Sequence, residues 1–280
     1  MLKSLRIITT YQCNAYKFKP AINSHGVCRF CYRHPEVFTY DKKTIDKLLS
    51  RIRENKNITE LVFTGGEPLI AKYIKYLIKS SNSFYTVLHT NGLLLNKIHN
   101  EIEYLNCISL PFDGSSKEIF DYYRGDGYYD LWKVRMGYVL SRKIEIGFNT
   151  LITPYNLKDI FNIAAKVNQI NPKYWFVKKY RHINIANENK DISKYFELDS
   201  GIFDDVIKKI RHDFPQINLY STIYKGPSIP TLFILLNGKA YTALQDSKEY
   251  IYLGNIINDG WDRILNNFIE YKNQENWECK

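Results

Sequence analysis

ITELVFTGG, residues 58–66, is an apolar, β-rich run that stops abruptly on two glycines, and Glu67 and Pro68 follow it. Such a run reads as a buried strand whose end is marked by the glycine turn. Upstream, LRIIT (5–9) has the same character, and the stretch between, Lys43 to Arg53, carries the apolar spacing of an amphipathic helix. Downstream the unit recurs. Leu69 to Lys79 is helical in pattern, FYTVLHTNG (84–92) and LNCISLPFDG (105–114) are strands with polar ends, and EIGFNTLIT (145–153) and YWFVKKY (174–180) flank a helical segment from Leu157 to Val167. Six βα units with polar residues gathered after each strand predict an α/β fold. The parallel sheet should close as a partial TIM-like (β/α)6 barrel, with its chemistry at the C-terminal edge of the strands.

Composition narrows the classes. A chain of 280 residues with 45% hydrophobic content can bury a large core. Mean hydropathy is negative at −0.36, no run reaches the roughly 18 apolar residues of a membrane span, and the start MLKSLRIITTYQC lacks the apolar stretch of a secretory signal. A cytoplasmic protein with no membrane partner is expected. The 39 Lys and Arg against 29 Asp and Glu give a net charge of +10, which suits anionic partners. No basic run or groove-reading motif accompanies it, so nucleic acid is set aside as a partner.

Five cysteines are too few and too odd in number for a disulfide framework. Three of them, Cys13, Cys28 and Cys31, fall in the loop after the first strand, separated by fourteen and then two residues. Three thiolates there suit three irons of a [4Fe-4S] cluster with the fourth iron open. By themselves they also fit a redox pair, or a zinc site completed by His25 or His34. Gly65-Gly66-Glu67-Pro68 on the neighbouring loop adds a place where backbone approaches a ligand closely and where Glu67 accepts from a cationic amine.

Taken together, the cysteines and the GGEP tetrapeptide resemble the radical S-adenosylmethionine (radical SAM) superfamily, over about residues 5–183, with the aromatic Phe30 directly before the third cysteine. The resemblance implies that Cys13, Cys28 and Cys31 ligate the cluster and that SAM chelates the unique iron. It implies that Gly65, Gly66, Glu67 and Pro68 hold the methionine amine, Thr90 and Asn91 lie near the methionine end, Ser109 near the ribose, Arg124 toward the carboxylate and Asn149 toward the ribose or adenine. It also implies reductive cleavage of SAM to a 5′-deoxyadenosyl radical that abstracts hydrogen from a substrate, and an external one-electron reductant of flavodoxin or ferredoxin type. The fourteen-residue stretch NAYKFKPAINSHGV between the first two cysteines departs from the usual three residues. Loop closure cost grows slowly with length, so the sulfurs can still converge, and some 7-carboxy-7-deazaguanine synthases show a comparable expansion.

Two further resemblances divide the substrate expectation between a ribosomal peptide and a nucleotide-like small molecule. LLNGKAYTALQDSKEYIYLGNI (235–256) resembles the C-terminal region of peptide-modifying radical SAM maturases, with Thr242 and Ala243 where a cluster cysteine would stand. The stretch 148–183 resembles the viperin family, which implies that Lys173, Lys178 and Lys179 face a triphosphate, although on an alternating strand only one of the last two points inward. Cys107, inside an apolar strand, reads as a small buried hydrophobe, and Cys279 as a thiol near the chain end. Tyr11, Tyr16, Tyr32, Tyr122 and Tyr123 gather near the site for stacking, and Lys17, Lys19 and His25 lie in the insert. Residues 1–214 are expected to form the barrel. Residues 215–280 are expected as an appendage capping it, with a hairpin turning at Asn237-Gly238. The competing class is a non-catalytic iron–sulfur or zinc-binding regulatory protein on the same scaffold.

Overall fold

The computed structural model describes residues 3–15, 28, 30–31, 38–180, 193–221, 231–243 and 250–274. The six expected strands form β1 (Ser4–Thr10), β2 (Glu60–Gly65), β3 (Tyr85–His89), β4 (Cys107–Pro111), β5 (Glu145–Ile152) and β6 (Tyr174–Lys179), each parallel to the next. Helices α1 (Lys42–Glu54), α2 (Ile74–Ser80), α3 (Lys117–Arg124), α4 (Tyr128–Ser141) and α5 (Ile160–Ile170) connect them. The expected helix from Leu69 starts instead as a 3-10 turn, Pro68–Ile70, because Pro68 opens it and the Glu67 carboxylate accepts from Leu69 N; α2 begins only at Ile74.

Alternation decides which face packs. Leu5, Ile7, Leu61, Phe63, Leu88, Ile108, Phe148, Trp175 and Val177 share one buried face and join the main core with the helices. In α1 the buried residues are Ile45, Leu48, Leu49 and Ile52, an i, i+3, i+4, i+7 stripe, and Asp41 caps the helix by accepting from Thr44 N at 2.8 Å. At roughly 1.5–3 kcal/mol for each such side chain, the stripe alone strongly favours docking. The opposite strand faces line a lumen that holds Arg6, His89, Asn149, Tyr174 and Lys178.

Beyond residue 214 the described strands join this sheet. After α6 (Ser193–Phe196) and α7 (Ser200–Asp213), β7 (Leu219–Ser221) adds in parallel to β6. β8 (Thr231–Leu235) adds in parallel to β1 at the other edge and continues antiparallel into β9 (Lys239–Ala243) and β10 (Ile251–Asn255). The order is β10-β9-β8-β1-β2-β3-β4-β5-β6-β7. The hairpin turns at the expected place, where Gly238 has φ +87° and its N donates to Leu235 O at 2.8 Å. The segment expected to cap the barrel thus extends both sheet edges, since β8 satisfies the otherwise unpaired edge of β1. The last helix, α8 (Ile256–Gln274), packs on α1, with Trp261 Nε1 donating to Arg51 O at 2.6 Å. No helix among the described residues is long and apolar enough to cross a membrane.

Candidate functional site

The C-terminal strand ends converge through the two glycines after β2. A Cβ on Gly65 would stand 2.1 Å from Thr10 O, and one on Gly66 would stand 2.0 Å from Gln12 O. The close approach is therefore to the backbone that carries Cys13. Gly66 N donates to Thr10 O at 2.7 Å and Glu67 N to Gln12 O at 2.8 Å, and these bonds fix that segment against β2. Cys13 Sγ accepts from Ala15 N at 3.4 Å and lies 3.8 Å from Asn91 Nδ2, whose amide also donates to Asn14 Oδ1 at 2.8 Å.

Glu67 is fully buried, and burial pushes its carboxyl above the usual carboxylate range, opposed by bonds from Thr90, Asn91 and Leu69. Its Oε1 accepts from Thr90 Oγ1 at 2.7 Å and Leu69 N at 3.0 Å, and its Oε2 from Asn91 N at 2.8 Å. Glu67, expected to accept from an amine, also braces the β2 and β3 loops. Three donors of this chain occupy three of its roughly four acceptor positions, a brace that the sequence could not anticipate because Thr90 and Asn91 follow a later strand.

Arg124, at the last turn of α3, donates through Nε and Nη2 to Asp113 Oδ2 at 2.8 and 2.6 Å. Asp113 Oδ1 accepts from Leu151 N at 2.9 Å, so the aspartate ties the ends of β4 and β5 to the guanidinium. Burial opposes the charge on Arg124, yet Asp113 and then Cys28 outweigh it and raise its pKa. Burial pushes the Cys28 thiol up, while Arg124 beside it pulls down. The Arg124 guanidinium also lies over the Phe30 ring, 5.1 Å from its centroid, and Phe30 packs edge-on against Tyr123 and Phe196. Cys13, Cys28 and Cys31 are each partly exposed, and Cys31 N donates to Cys28 O at 2.9 Å. Tyr128 closes the group by donating its hydroxyl to Asn91 O.

The family model described as the radical SAM superfamily matches residues 10–167 of the chain. The chain belongs to the radical SAM superfamily. Its members use a [4Fe-4S] cluster and SAM, and the enzymes among them cleave SAM reductively. An uncharacterized protein of Methanothermobacter thermautotrophicus is 33% identical over 173 residues, covering 55% of this chain and 64% of the relative. An S-adenosylmethionine-dependent nucleotide dehydratase of Lacinutrix mariniflava is 28% identical over 241 residues, covering 76% of this chain and 49% of that one. The chain thus spans between about half and two thirds of the length of these curated relatives. In fold it is similar to Streptococcus suis SuiB bound to precursor peptide SuiA, with a TM-score of 0.69 at 14% identity over 99% of this chain and 67% of that one.

The residues present fit the radical SAM cofactors. Three thiols stand at the rim where Arg124 offers a partly buried, pre-oriented cation for a carboxylate. Among the described residues no three His, Cys, Asp or Glu side chains form a site for a single metal ion. A cubane cluster presents a different iron to each sulfur and does not ask for that convergence.

Ser109 and Asn149, expected near the nucleoside of SAM, bond to each other, the Asn149 amide donating to Ser109 Oγ. Ser109 in turn donates to Tyr174, whose hydroxyl reaches His89 Nε2 at 3.2 Å. Tyr174 crosses β5 above Gly147, where a Cβ would sit 2.4 Å from its ring. Lys178 faces the lumen, as one of the two adjacent lysines must. Lys179 donates to Ser200 Oγ at 2.8 Å, and Lys173, which also lines the cavity, pairs with Glu145 at 2.8 Å. Tyr123 is buried with its hydroxyl against Thr153, Tyr122 stacks on Tyr155, and Tyr11 packs edge-on to Phe38. Cys107 is buried on the lumen side with Val62 and Val87. Tyr16, Lys17, Lys19, His25, Tyr32, His34 and Cys279 lie outside the described residues.

Sequence reading missed Asp113, Tyr128 and Asn156. Asn156 is buried and donates to both Asp113 O and Leu151 O at 2.9 Å. The signal for Asp113 was an acid directly after the apolar LPF of β4, where a strand otherwise ends on a neutral turn.

Proposed function

We propose that the chain is a radical SAM enzyme in which Cys13, Cys28 and Cys31 hold the cluster and Arg124 receives the SAM carboxylate. The observation that carries this reading is the Asp113–Arg124–Cys28 arrangement: a buried carboxylate holding a guanidinium beside the thiol of the three-cysteine loop. The group supplies, when bound, a 5′-deoxyadenosyl radical that takes a hydrogen atom from an unactivated C–H bond. The chain's own residues do the rest.

Gly65 and Gly66 hold the Cys13 segment in van der Waals contact with β2, and Glu67 locks the β2 and β3 loops so that Asn91 faces Cys13. Asp113 fixes the Arg124 fork, which favours bidentate capture of a carboxylate over a floating cation. The Ser109–Asn149–Tyr174 chain walls the lumen below, where a substrate C–H would be held out of bulk water. The lumen cavity of about 350 Å³ suits a small molecule or the tip of a peptide. A one-electron donor of flavodoxin or ferredoxin type is the proposed protein partner.

The test is SAM binding by equilibrium dialysis under anaerobic conditions, with and without reconstituted cluster. Binding that strengthens at least about tenfold with the cluster and is lost in Arg124→Met supports the reading. Cluster-independent binding, or none, contradicts it and favours a regulatory iron–sulfur or zinc protein.

A further inference from the structure

The strand faces opposite the main core enclose a cavity of about 350 Å³ whose charges do not balance. Arg6 of β1, His89 of β3 and Lys178 of β6 all line it. The Arg6 guanidinium lies 6.0 Å from the centroid of the Phe233 ring, and the Lys178 ammonium 5.2 Å from that of Phe176. Both are partly buried, and neither has a hydrogen-bond or ion-pair partner among the described residues.

Two of the acids nearby are paired with other cations, Glu145 with Lys173 and Asp113 with Arg124, and Glu145 also accepts from the Tyr85 hydroxyl. Glu60 lines the Ser4 end of the cavity and accepts only from that neutral hydroxyl, at 2.5 Å, which leaves one carboxylate against two unpaired cations. Arg6 and Lys178 consequently repel each other. After burial itself, Arg6 is the next cause that lowers the Lys178 pKa, to about 7, with Asp113 opposing and Arg124 adding to the fall. Burial, then Lys178 and Arg6, push His89 well below its ordinary value and leave the imidazole neutral at pH 7. In the tautomer whose Nε2 accepts from the Tyr174 hydroxyl, the imidazole presents Nδ1–H as its donor.

We infer that Arg6, His89 and Lys178 form a phosphoryl-binding site in the barrel lumen, so that the substrate is a phosphorylated small molecule. A phosphoryl group carries nearly two negative charges at neutral pH and three acceptor oxygens. A guanidinium, an ammonium and an imidazole N–H are a matching donor set, whereas a single carboxylate leaves one cation uncompensated. The hydrogen-bonded chain from Asn149 through Ser109 and Tyr174 orients His89 for the same ligand. That this ligand is the substrate rests on the radical SAM reading above; the anion site does not.

The site is tested on the apoprotein by titration calorimetry with inorganic pyrophosphate, and with malonate as the carboxylate counterpart. Pyrophosphate should bind, and Arg6→Met and Lys178→Met should each weaken it about tenfold or more. Lys179→Met, on the outer face of β6, should change it less than about twofold. Both lumen variants should keep or raise Tm, because each removes a repelled, partly buried cation. Equal binding by wild type and lumen variants overturns the inference, and preference for malonate overturns the phosphoryl assignment. Should neither variant fold, the wild type decides: a Tm that pyrophosphate fails to raise overturns the site. Because cluster and SAM are absent, a negative result here leaves the SAM-binding test untouched, and pyrophosphate binding without SAM binding marks the opposite failure.

Discussion

Gly66 illustrates how little room the site leaves. A methyl group there must displace the Gln12 carbonyl from 2.0 Å, and with it the backbone that precedes Cys13. Gly66→Ala should destabilise the fold by at least about 2 kcal/mol in urea melts, and should lower bound iron more than a core substitution of equal cost. Asp113 offers a second residue-scale test. Asp113→Leu leaves the partly buried Arg124 guanidinium unpaired, at a cost of about 3 kcal/mol, while Asp113→Leu with Arg124→Met should restore most of that stability. A double variant as unstable as the single one would show that the pair does not act as an ion pair. Lys178 sets a pH signature. Its folded pKa near 7 lies below the unfolded 10.5, so the unfolded chain binds more protons between those values, and stability falls as pH drops from 10.5 to 7. The Tm advantage of Lys178→Met over wild type should therefore be larger at pH 7 than at pH 10.

At the scale of elements, α1 is the clearest case of sequence dictating packing. Leu48 sits in the middle of its buried stripe with no exposure, and Leu48→Ala should cost about 2–5 kcal/mol by denaturant melts without changing the cofactor site. The strands of the barrel were equally legible, because residues such as Ile7, Phe63 and Phe148 alternate with lumen residues or run continuously apolar. The helices between β4 and β5 were not. α3 and α4 are separated by Gly125 and Gly127, both with positive φ, and the apolar residues of α4 are scattered so that Val134 is 63% exposed. Their ends are fixed by Asp121, which accepts from Gly127 N and Tyr129 N, and no periodicity in the sequence reports such a bond. The hairpin was legible from Asn237-Gly238, but its partner was not: the parallel pairing of β8 with β1 joins residues more than two hundred positions apart.

For the whole molecule, the rim of the sheet and its lumen do different work. The rim gathers Cys13, Cys28, Arg124 and Glu67 by contacts between neighbouring loops, and those residue types were readable as a motif. The lumen gathers Arg6, His89 and Lys178 from three strands spread over 172 positions of sequence, so only closure of the sheet brings them together. The account joins both regions in one catalyst, with radical generation at the rim and an anionic substrate held below. Its most direct test is anaerobic reconstitution with iron and sulfide, reduction with dithionite, and quantification of 5′-deoxyadenosine from SAM. The account predicts deoxyadenosine from the wild type and none above background from Cys13→Ala, Cys28→Ala or Cys31→Ala. A fully reconstituted wild type that binds SAM yet releases no deoxyadenosine, or a cysteine variant that releases as much as wild type, would contradict it.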